Sequence, residues 1–250
     1  MPFPSKPVAY CTMCGRYTLR RYELARAVFQ AMRQMTFEEF SELDVHWWNI
    51  APSQHVPVVR MEDNGERVIA PAQWGFIPAW AKELPKTRPI NARAETIATS
   101  GMFRQAFNSR RCLIPADGFY EWQGAQRPRQ PYFIHLKDDG VFAFAGLWER
   151  WKPAKDAEPI YTCTIITTQP NELMRPIHNR MPAIVAKRNY SRWLESRIPG
   201  DEVADALTPY PAEEMDAYAI TPAVNNPKTD GPELIRAADE LRHFQKKEQP

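Results

Sequence analysis

Seven short segments rich in Val, Ile, Phe, Tyr or Thr constrain the fold of this chain more than any other feature of its sequence. Segments of this kind, bounded by Pro, Gly or Asp, are typical of β-strands. Helical periodicity is confined to 21–35, 189–196 and 232–246, so few strands are separated by a helix. Because a regular βαβ winding needs those helices, the pattern predicts an α+β fold with a largely antiparallel, sheet-like or barrel-like β core and a few flanking helices. The predicted strands are 55–60, 66–74, 132–136, 141–146, 161–167, 183–186 and 217–221.

The length of the chain predicts a single domain. With 250 residues, 44% of them hydrophobic, it can bury one sizeable core, and 24 prolines against 10 glycines indicate rigid, irregular connections. We expect residues 1–12, with three prolines and little periodicity, to be an N-terminal extension before a domain over 13–250. No apolar run reaches the roughly 18 residues that span a membrane, and the opening residues lack a signal-peptide core. We therefore expect a cytoplasmic protein with no membrane partner.

The net charge of +2 conceals an uneven distribution. Residues 195–250 carry 6 Lys or Arg against 12 Asp or Glu, which leaves 26 against 18 on residues 1–194. The basic part of the chain also holds every candidate reactive group. This moderate excess favours contact with a few phosphates over strong non-specific binding along duplexes. The alternative is an ordinary solvated surface.

Cys14 directly follows Met13, and this pair decides which chemistry the chain can perform. If translation began at Met13, removal of that residue would leave Cys14 with a free α-amine beside its thiol. Such a 1,2-aminothiol condenses with an aldehyde through the amine, and the thiol then closes on the imine to give a five-membered ring. An internal cysteine cannot react in this way, because its nitrogen belongs to an amide.

The other cysteines favour packing over metal binding. Cys11 and Cys14 have the C-x-x-C spacing of a zinc or redox pair, but no second pair follows to complete four ligands. Four cysteines are also too few for a disulfide scaffold. Cys112 and Cys163 lie in apolar stretches and are predicted to be buried. We expect no metal and no cofactor.

Five short segments place reactive or planar polar groups among turn residues, where a scaffold usually presents function. Taken alone, each segment favours a structural role. In this order, and together with Asn49-Ile50-Ala51-Pro52, Ala145-Gly146-Leu147-Trp148-Glu149 and Val224-Asn225-Asn226-Pro227-Lys228, they closely resemble the SRAP family, the SOS response-associated peptidases, over about 14–228. The five segments are Cys14-Gly15-Arg16-Tyr17, Trp74-Gly75-Phe76-Ile77-Pro78, Asn91-Ala92-Arg93-Ala94-Glu95, Pro115-Ala116-Asp117-Gly118-Phe119-Tyr120-Glu121-Trp122 and Ile177-His178-Asn179-Arg180-Met181-Pro182.

The resemblance implies a protein that binds single-stranded DNA and captures the ring-opened aldehyde of an abasic site as a thiazolidine on an N-terminal cysteine. It places the nucleophile at Cys14 and three further catalytic residues at Asn91, Glu121 and His178. By residue type, His178 is a proton donor for opening the deoxyribose, and Glu121 takes and returns protons at the amine. Asn91 cannot titrate, so we expect it to orient the cysteine by hydrogen bonding. Whether strand junctions are preferred stays open, and no obligate protein partner is expected.

Planar cations and aromatic faces are the expected DNA contacts. Arg16, Arg93 and Arg180 each lie two residues from a proposed catalytic group, which suits a clamp on flanking phosphates. Trp74 is predicted to stack on a base, although a core position is the common alternative for a tryptophan flanked by Gly and Phe. An acid-free stretch over 101–116 supplies further arginines, with a solvated face as the alternative. The full predicted set is Arg16, Pro52, Trp74, Gly75, Arg93, Arg104 and Arg180, with Arg110 and Arg111 beside Arg104.

The twelve residues ahead of Met13 depart from the family pattern, because a chain that begins at Met1 cannot form the thiazolidine. Either Met13 is the true start, or the extension is removed by proteolysis, or the activity has been lost; we expect a start at Met13. Two other functions remain open. One is a thiol-dependent peptidase, acting on peptides or on itself, or a lyase, with Cys14, Glu121 and His178 as its reactive groups. The other is a non-catalytic module that binds single-stranded DNA.

Overall fold

The structure is a computed structural model that describes residues 15–21, 48–62 and 64–238. Within these residues the chain is mostly β-structure with short helices. The helices are α1 (Arg104–Ser109), α2 (Tyr190–Leu194) and 3-10 turns at Lys187–Asn189, Gly200–Leu207, Ala212–Glu214, Pro222–Asn225 and Pro232–Ile235. The strands are β1 (Tyr17–Thr18), β2 (His55–Met61), β3 (Arg67–Trp74), β4 (Asn91–Arg93), β5 (Arg111–Ala116), β6 (Gly118–Gln123), β7 (Gln130–Leu136), β8 (Phe142–Trp151), β9 (Ile160–Thr168), β10 (Met181–Pro182), β11 (Ile184–Val185) and β12 (Met215–Ala219).

Five strands close on themselves as a barrel. The order is β9-β3-β2-β5-β8, and β8 pairs again with β9 to complete the circuit. All of these pairs are antiparallel except β3 with β9, and β4 also joins β9 in parallel. Short β10 and β11 extend β9 and β8. The predicted α+β fold with a largely antiparallel, barrel-like core is therefore confirmed.

A second sheet of order β1-β6-β7-β12 packs beside the barrel and is antiparallel throughout. The chain enters it directly from the barrel, because β5 ends at Ala116 and β6 begins at Gly118 with only Asp117 between them. Phe119 belongs to the large core, whereas Tyr120 belongs to a smaller apolar cluster on the other side of the sheet. Both faces of β6 are thus covered.

Each of the seven predicted strands overlaps an observed strand, and the helix predicted over 189–196 is confirmed by α2. The strands β1, β4, β5, β6 and β10 were not predicted; β6 lies largely within the segment 115–122, which was interpreted as turn residues. The predicted helix over 21–35 lies outside the described residues apart from Arg21, and 232–246 is described only to residue 238, where a 3-10 turn replaces the start of the predicted helix. Cys112 and Cys163 are buried, as predicted. Across the described ranges, no helix is both long and apolar enough to traverse a bilayer.

Candidate functional site

The pairing of β1 with β6 brings the start of the described chain to Glu121. Tyr17 lies opposite Phe119, and the Tyr120 N–H donates to the Arg16 carbonyl at 3.0 Å. Continuing this antiparallel register by two pairs, through Arg16 and Tyr120, sets Gly15 opposite Glu121. Cys14 itself lies outside the described residues. The residue that follows it therefore faces a glutamate that is only 2% exposed.

A hydrogen bond connects the strand of Glu121 to the turn that carries His178. Side chains two apart on a strand share a face, so Glu121 and Gln123 project to the same side of β6. The Gln123 Nε2 donates to the carbonyl of Pro176 at 2.9 Å, two residues before His178. The fold thus draws two of the predicted catalytic groups toward one region from positions 57 residues apart in sequence.

The half-buried imidazole of His178 is held in one tautomer. Its backbone N–H donates to the Met174 carbonyl at 2.8 Å, which ends a helical turn, and the Arg180 N–H donates to Nδ1 at 3.2 Å. Because Nδ1 accepts this bond, the proton of the neutral ring resides on Nε2. The free edge of the ring is therefore a donor.

Asn91 begins β4 and lies beside Ile165 of β9. The backbone around it is fixed by two bonds to the Ile90 carbonyl, from the Ile165 N–H at 3.0 Å and from the Trp74 indole Nε1 at 2.9 Å. The Asn91 Nδ2 is buried, and none of the described residues accepts a hydrogen bond from it. A buried amide donor without an acceptor is costly, so this nitrogen is suited to a group that arrives with the substrate or the nucleophile.

The prediction that Trp74 stacks on a base is corrected by its burial. The ring is 1% exposed and packs edge-on against Tyr17 with centroids 5.5 Å apart, so no face is open to a base. Its indole holds the backbone that leads into Asn91, which is a structural role. Gly75 is buried too, with φ of +142° and an N–H that donates to the Cys163 carbonyl at 2.9 Å. It fixes a bend in the left-handed region.

Arg16 ties three segments together instead of presenting a free cation. Its Nη1 donates to Asn49 Oδ1 and to the Val224 carbonyl, each at 2.8 Å. Partial burial lowers the pKa of its guanidinium, opposed by the neighbouring Tyr120. Pro52 lies half-buried in the turn that precedes β2. The motifs at 49–52 and 224–228 therefore converge on the segment that follows Cys14.

Arg93 and Arg180 have different surroundings. Arg93 ends β4 and is exposed, whereas Arg180 is 7% exposed. The Arg180 Nη atoms bind the Glu95 carboxylate at 2.5 and 2.8 Å and the Thr167 carbonyl at 2.7 Å. This pair lowers the pKa of Glu95, chiefly through the hydrogen bond from Arg180. A phosphate could take these Nη atoms only by displacing Glu95.

The three arginines of the acid-free stretch have unlike roles. Arg104 is exposed at the start of α1, and Arg110 forms an ion pair with Glu149 at 2.8 Å. Arg111 is buried, and burial lowers its pKa to about 10. As a DNA contact Arg111 is ruled out, because its guanidinium donates to five backbone carbonyls. They belong to Phe107, Asn108, Trp193, Glu195 and Ile198.

One aromatic residue was missed by the sequence analysis. Among the described residues, the large hydrophobic side chains that are exposed are Trp80, at 62%, and Leu84, at 45%. Both lie in the connection between β3 and β4, which ends at Asn91. The sequence around Trp74 and Trp80, six positions apart, does not predict which of the two is buried. An exposed indole close in sequence to Asn91 is a better candidate for base stacking than Trp74.

Comparison with known proteins identifies relatives of this chain. A family model described as SOS response associated peptidase (SRAP) matches residues 13–227. The abasic site processing protein YoqW of Bacillus subtilis is 41% identical over 230 residues, covering 90% of this chain and all of that protein. The abasic site processing protein HMCES of Pongo abelii is 31% identical over 273 residues, covering 91% of this chain and 77% of that protein.

Solved structures share the architecture. A crystal structure of a protein from Bacteroides thetaiotaomicron superposes with a TM-score of 0.78 at 28% identity, covering 90% of this chain and all of that one. Another, from Bordetella bronchiseptica, gives a TM-score of 0.70 at 28% identity, covering 83% of this chain and all of that one. The barrel and its companion sheet are thus an established arrangement.

Proposed function

Because the chain belongs to the SOS response associated peptidase (SRAP) family, we propose that it processes abasic sites in single-stranded DNA by capturing them covalently on Cys14. Relatives that match 90% or more of this chain are named abasic site processing proteins. The observation that supports the covalent step is the register of β1 on β6, which, continued by two pairs, sets Gly15 opposite buried Glu121. A carboxylate at this position can take up and return a proton of a free α-amine at residue 14.

The proposed reaction needs no oxidant and no cofactor. The Cys14 amine attacks the C1′ aldehyde of the opened sugar, and loss of one water gives an imine. The thiol sulfur then bonds to the same carbon, and the thiol proton passes to nitrogen. An α-amine has a pKa of about 8, so a useful fraction is neutral near physiological pH. The product is a five-membered thiazolidine.

We assign a role to each of Asn91, Glu121 and His178 from its own contacts and chemistry. His178 presents Nε2–H at its free edge, where it can donate to the ring oxygen as the sugar opens. Glu121 relays the protons that the amine loses and the leaving water gains. Asn91 offers a buried Nδ2 donor that can orient either the nucleophile or the aldehyde oxygen.

For DNA binding, the exposed groups near Asn91 are the strongest candidates. Arg93 is exposed and has no ion pair with any residue that the structure describes, so it can reach a phosphate, and the Trp80 ring has an open face for a base. Such contacts read no sequence, which suits recognition of a lesion in any context. Arg180 would contribute only after exchanging Glu95 for a phosphate.

Intact mass spectrometry tests the proposal directly. Protein expressed from Met13 is incubated with an oligonucleotide that contains one abasic site, and the products are weighed. We expect the mass of the protein without Met13 plus that of the DNA, less one water. An unmodified protein mass, or an adduct that retains the water, contradicts the proposed ring.

Trp80→Ala should weaken binding of single-stranded DNA by about tenfold, since one base stacked on an aromatic ring contributes roughly 1–3 kcal/mol. The measurement is fluorescence anisotropy with an undamaged labelled oligonucleotide. Leu84→Ala is the matched control, because it removes the other exposed apolar side chain of the same connection. Equal affinities for wild type and Trp80→Ala would return Trp80 to an ordinary surface position.

A further inference from the structure

We propose that Asp117 is a positioning residue for the reaction: it fixes the register of β1 on β6 and so holds the end of the chain at Glu121. This inference rests on the proposed function, because it assigns a purpose to the placement of residue 14. Asp117 lies at the passage from barrel to second sheet and is fully buried. It does not approach the substrate and acts through residues 18–21.

The Asp117 carboxylate accepts hydrogen bonds from β1 and from the residues directly after it. Its Oδ1 accepts from Thr18 Oγ1 at 2.6 Å and from Arg20 Nε at 3.0 Å, and its Oδ2 accepts from the Arg21 N–H at 2.8 Å. The Asp117 N–H in turn donates to the Thr18 carbonyl at 2.9 Å. Every one of these partners lies between positions 18 and 21, four to seven residues after Cys14. Hydrogen bonds to a charged acceptor are stronger than neutral ones, so this contact outweighs a ladder bond.

The ladder of β1 with β6 is too short to define the register by itself, and the other edge of β1 adds one bridge, from Tyr17 to Ile50. Strand β1 has two residues, and its paired positions with β6 are Tyr17 with Phe119 and Thr18 with Gly118. A slip by one residue would move the chain by about 3.3 Å and turn each side chain to the opposite face. With Asp117 in place, only one register brings both oxygens to their donors at once.

Close packing of Thr18 against Gly118 supports the same register. A Cβ at this position would lie 2.9 Å from Thr18 Oγ1 and 2.3 Å from the Phe133 ring. Thr18 therefore fits against a bare backbone directly after Asp117. Together with the bonds from Arg16 to Asn49 and Val224, these contacts hold a strand that, on the proposed function, lies only a few residues from the start of the chain.

Asp117→Asn should separate rate from binding. The amide keeps the shape and can still accept at Oδ1, but its NH2 cannot accept from the Arg21 N–H. We expect the maximal single-turnover rate of adduct formation, for protein that begins at Cys14, to fall by about tenfold, since a 1 Å misplacement of reacting groups can cost roughly 10²-fold. The DNA concentration that gives half the maximal rate should not change.

Two further variants make the test decisive. Asp139→Asn removes the carboxylate that meets the outer ends of the same arginines, at 2.6 Å from Arg21 Nη2, and should react as wild type does. Thr18→Val removes one donor to Asp117 with little change in volume; it should slow the reaction severalfold, and it replaces Asp117→Asn as the deciding variant if that protein does not fold.

The inference is overturned if both Asp117→Asn and Thr18→Val react at the wild-type rate, or if the half-saturating DNA concentration rises as much as the rate falls. Failure of wild-type protein to form any adduct is a different result: it refutes the proposed function, and the positioning role with it. An effect of Asp139→Asn equal to that of Asp117→Asn would attribute the loss to the arginines and not to the register of β1.

Discussion

Protein that begins at Cys14 will form an adduct with abasic single-stranded DNA that survives heating, and the same protein kept uncut from Met1 will form none. Only the first has an amine and a thiol on adjacent carbons; in the second the nitrogen of Cys14 is an amide without nucleophilic character. The two proteins are compared on a denaturing gel, after mass spectrometry has verified their N-termini. The expected contrast is all-or-none.

Undamaged DNA and Cys14→Ser are the controls for this comparison. Undamaged DNA has no aldehyde and should give no product. Cys14→Ser keeps the amine, so it should bind DNA normally and give an imine that borohydride traps, but no stable ring. If uncut protein from Met1 crosslinks as fast as protein from Cys14, the aminothiol chemistry is wrong and a reaction of the thiol alone, as in a peptidase, becomes the better explanation.

Glu121→Gln and His178→Ala will each slow adduct formation by roughly 10²-fold, the usual loss when general acid or base help is removed. Affinity for an abasic-site analogue should stay nearly intact, because proton transfer acts on the transition state while phosphate and base contacts act on the ground state. Single-turnover rates and equilibrium binding, measured on the same proteins, separate the two. For His178→Ala the Nε2–H donor is lost, whereas Glu121→Gln changes little in volume.

Glu149→Gln is a matched control for Glu121→Gln. Glu149, in β8, is also a buried carboxylate. It forms an ion pair with Arg110 and has no part in the proposed reaction. Its substitution should lower the melting temperature without changing the crosslinking rate. Wild-type rates in both Glu121→Gln and His178→Ala would reduce these two residues to structural roles.

The strand that carries Glu121 shows what the sequence could not reveal about the fold. Covered strands such as β6 lack the alternation of apolar and polar residues by which half-buried strands are predicted. In β6, Phe119 packs into the main core and Tyr120 into the smaller cluster, so apolar residues follow one another without a period. The strands that were predicted are those marked by β-branched and aromatic runs between prolines, glycines or aspartates.

The order of the motifs predicted the family, whereas charge and aromaticity did not predict which side chains are exposed. Arg93 and Arg111 were both considered as DNA contacts from the sequence, yet Arg93 is exposed and Arg111 donates to five carbonyls. Trp74 is buried and its indole donates to the Ile90 carbonyl, whereas Trp80 is exposed. Both distinctions depend on contacts between distant segments, for which a single sequence carries no local signal.

The pairing of Tyr17 with Phe119 also delays the folding of β1 during synthesis of the chain. Phe119 is made 102 residues after Tyr17, so β1 has no β6 to join until then. At about 5–20 residues per second, the ribosome needs roughly 5–20 s to make the intervening chain. On the proposed function, an aminothiol freed at Cys14 early in that interval would be chemically competent before Glu121 has been made, and a small aldehyde nearby could react with it. The fraction of new protein that reaches DNA in reactive form would then depend on the aldehyde load of the cell at the moment of translation.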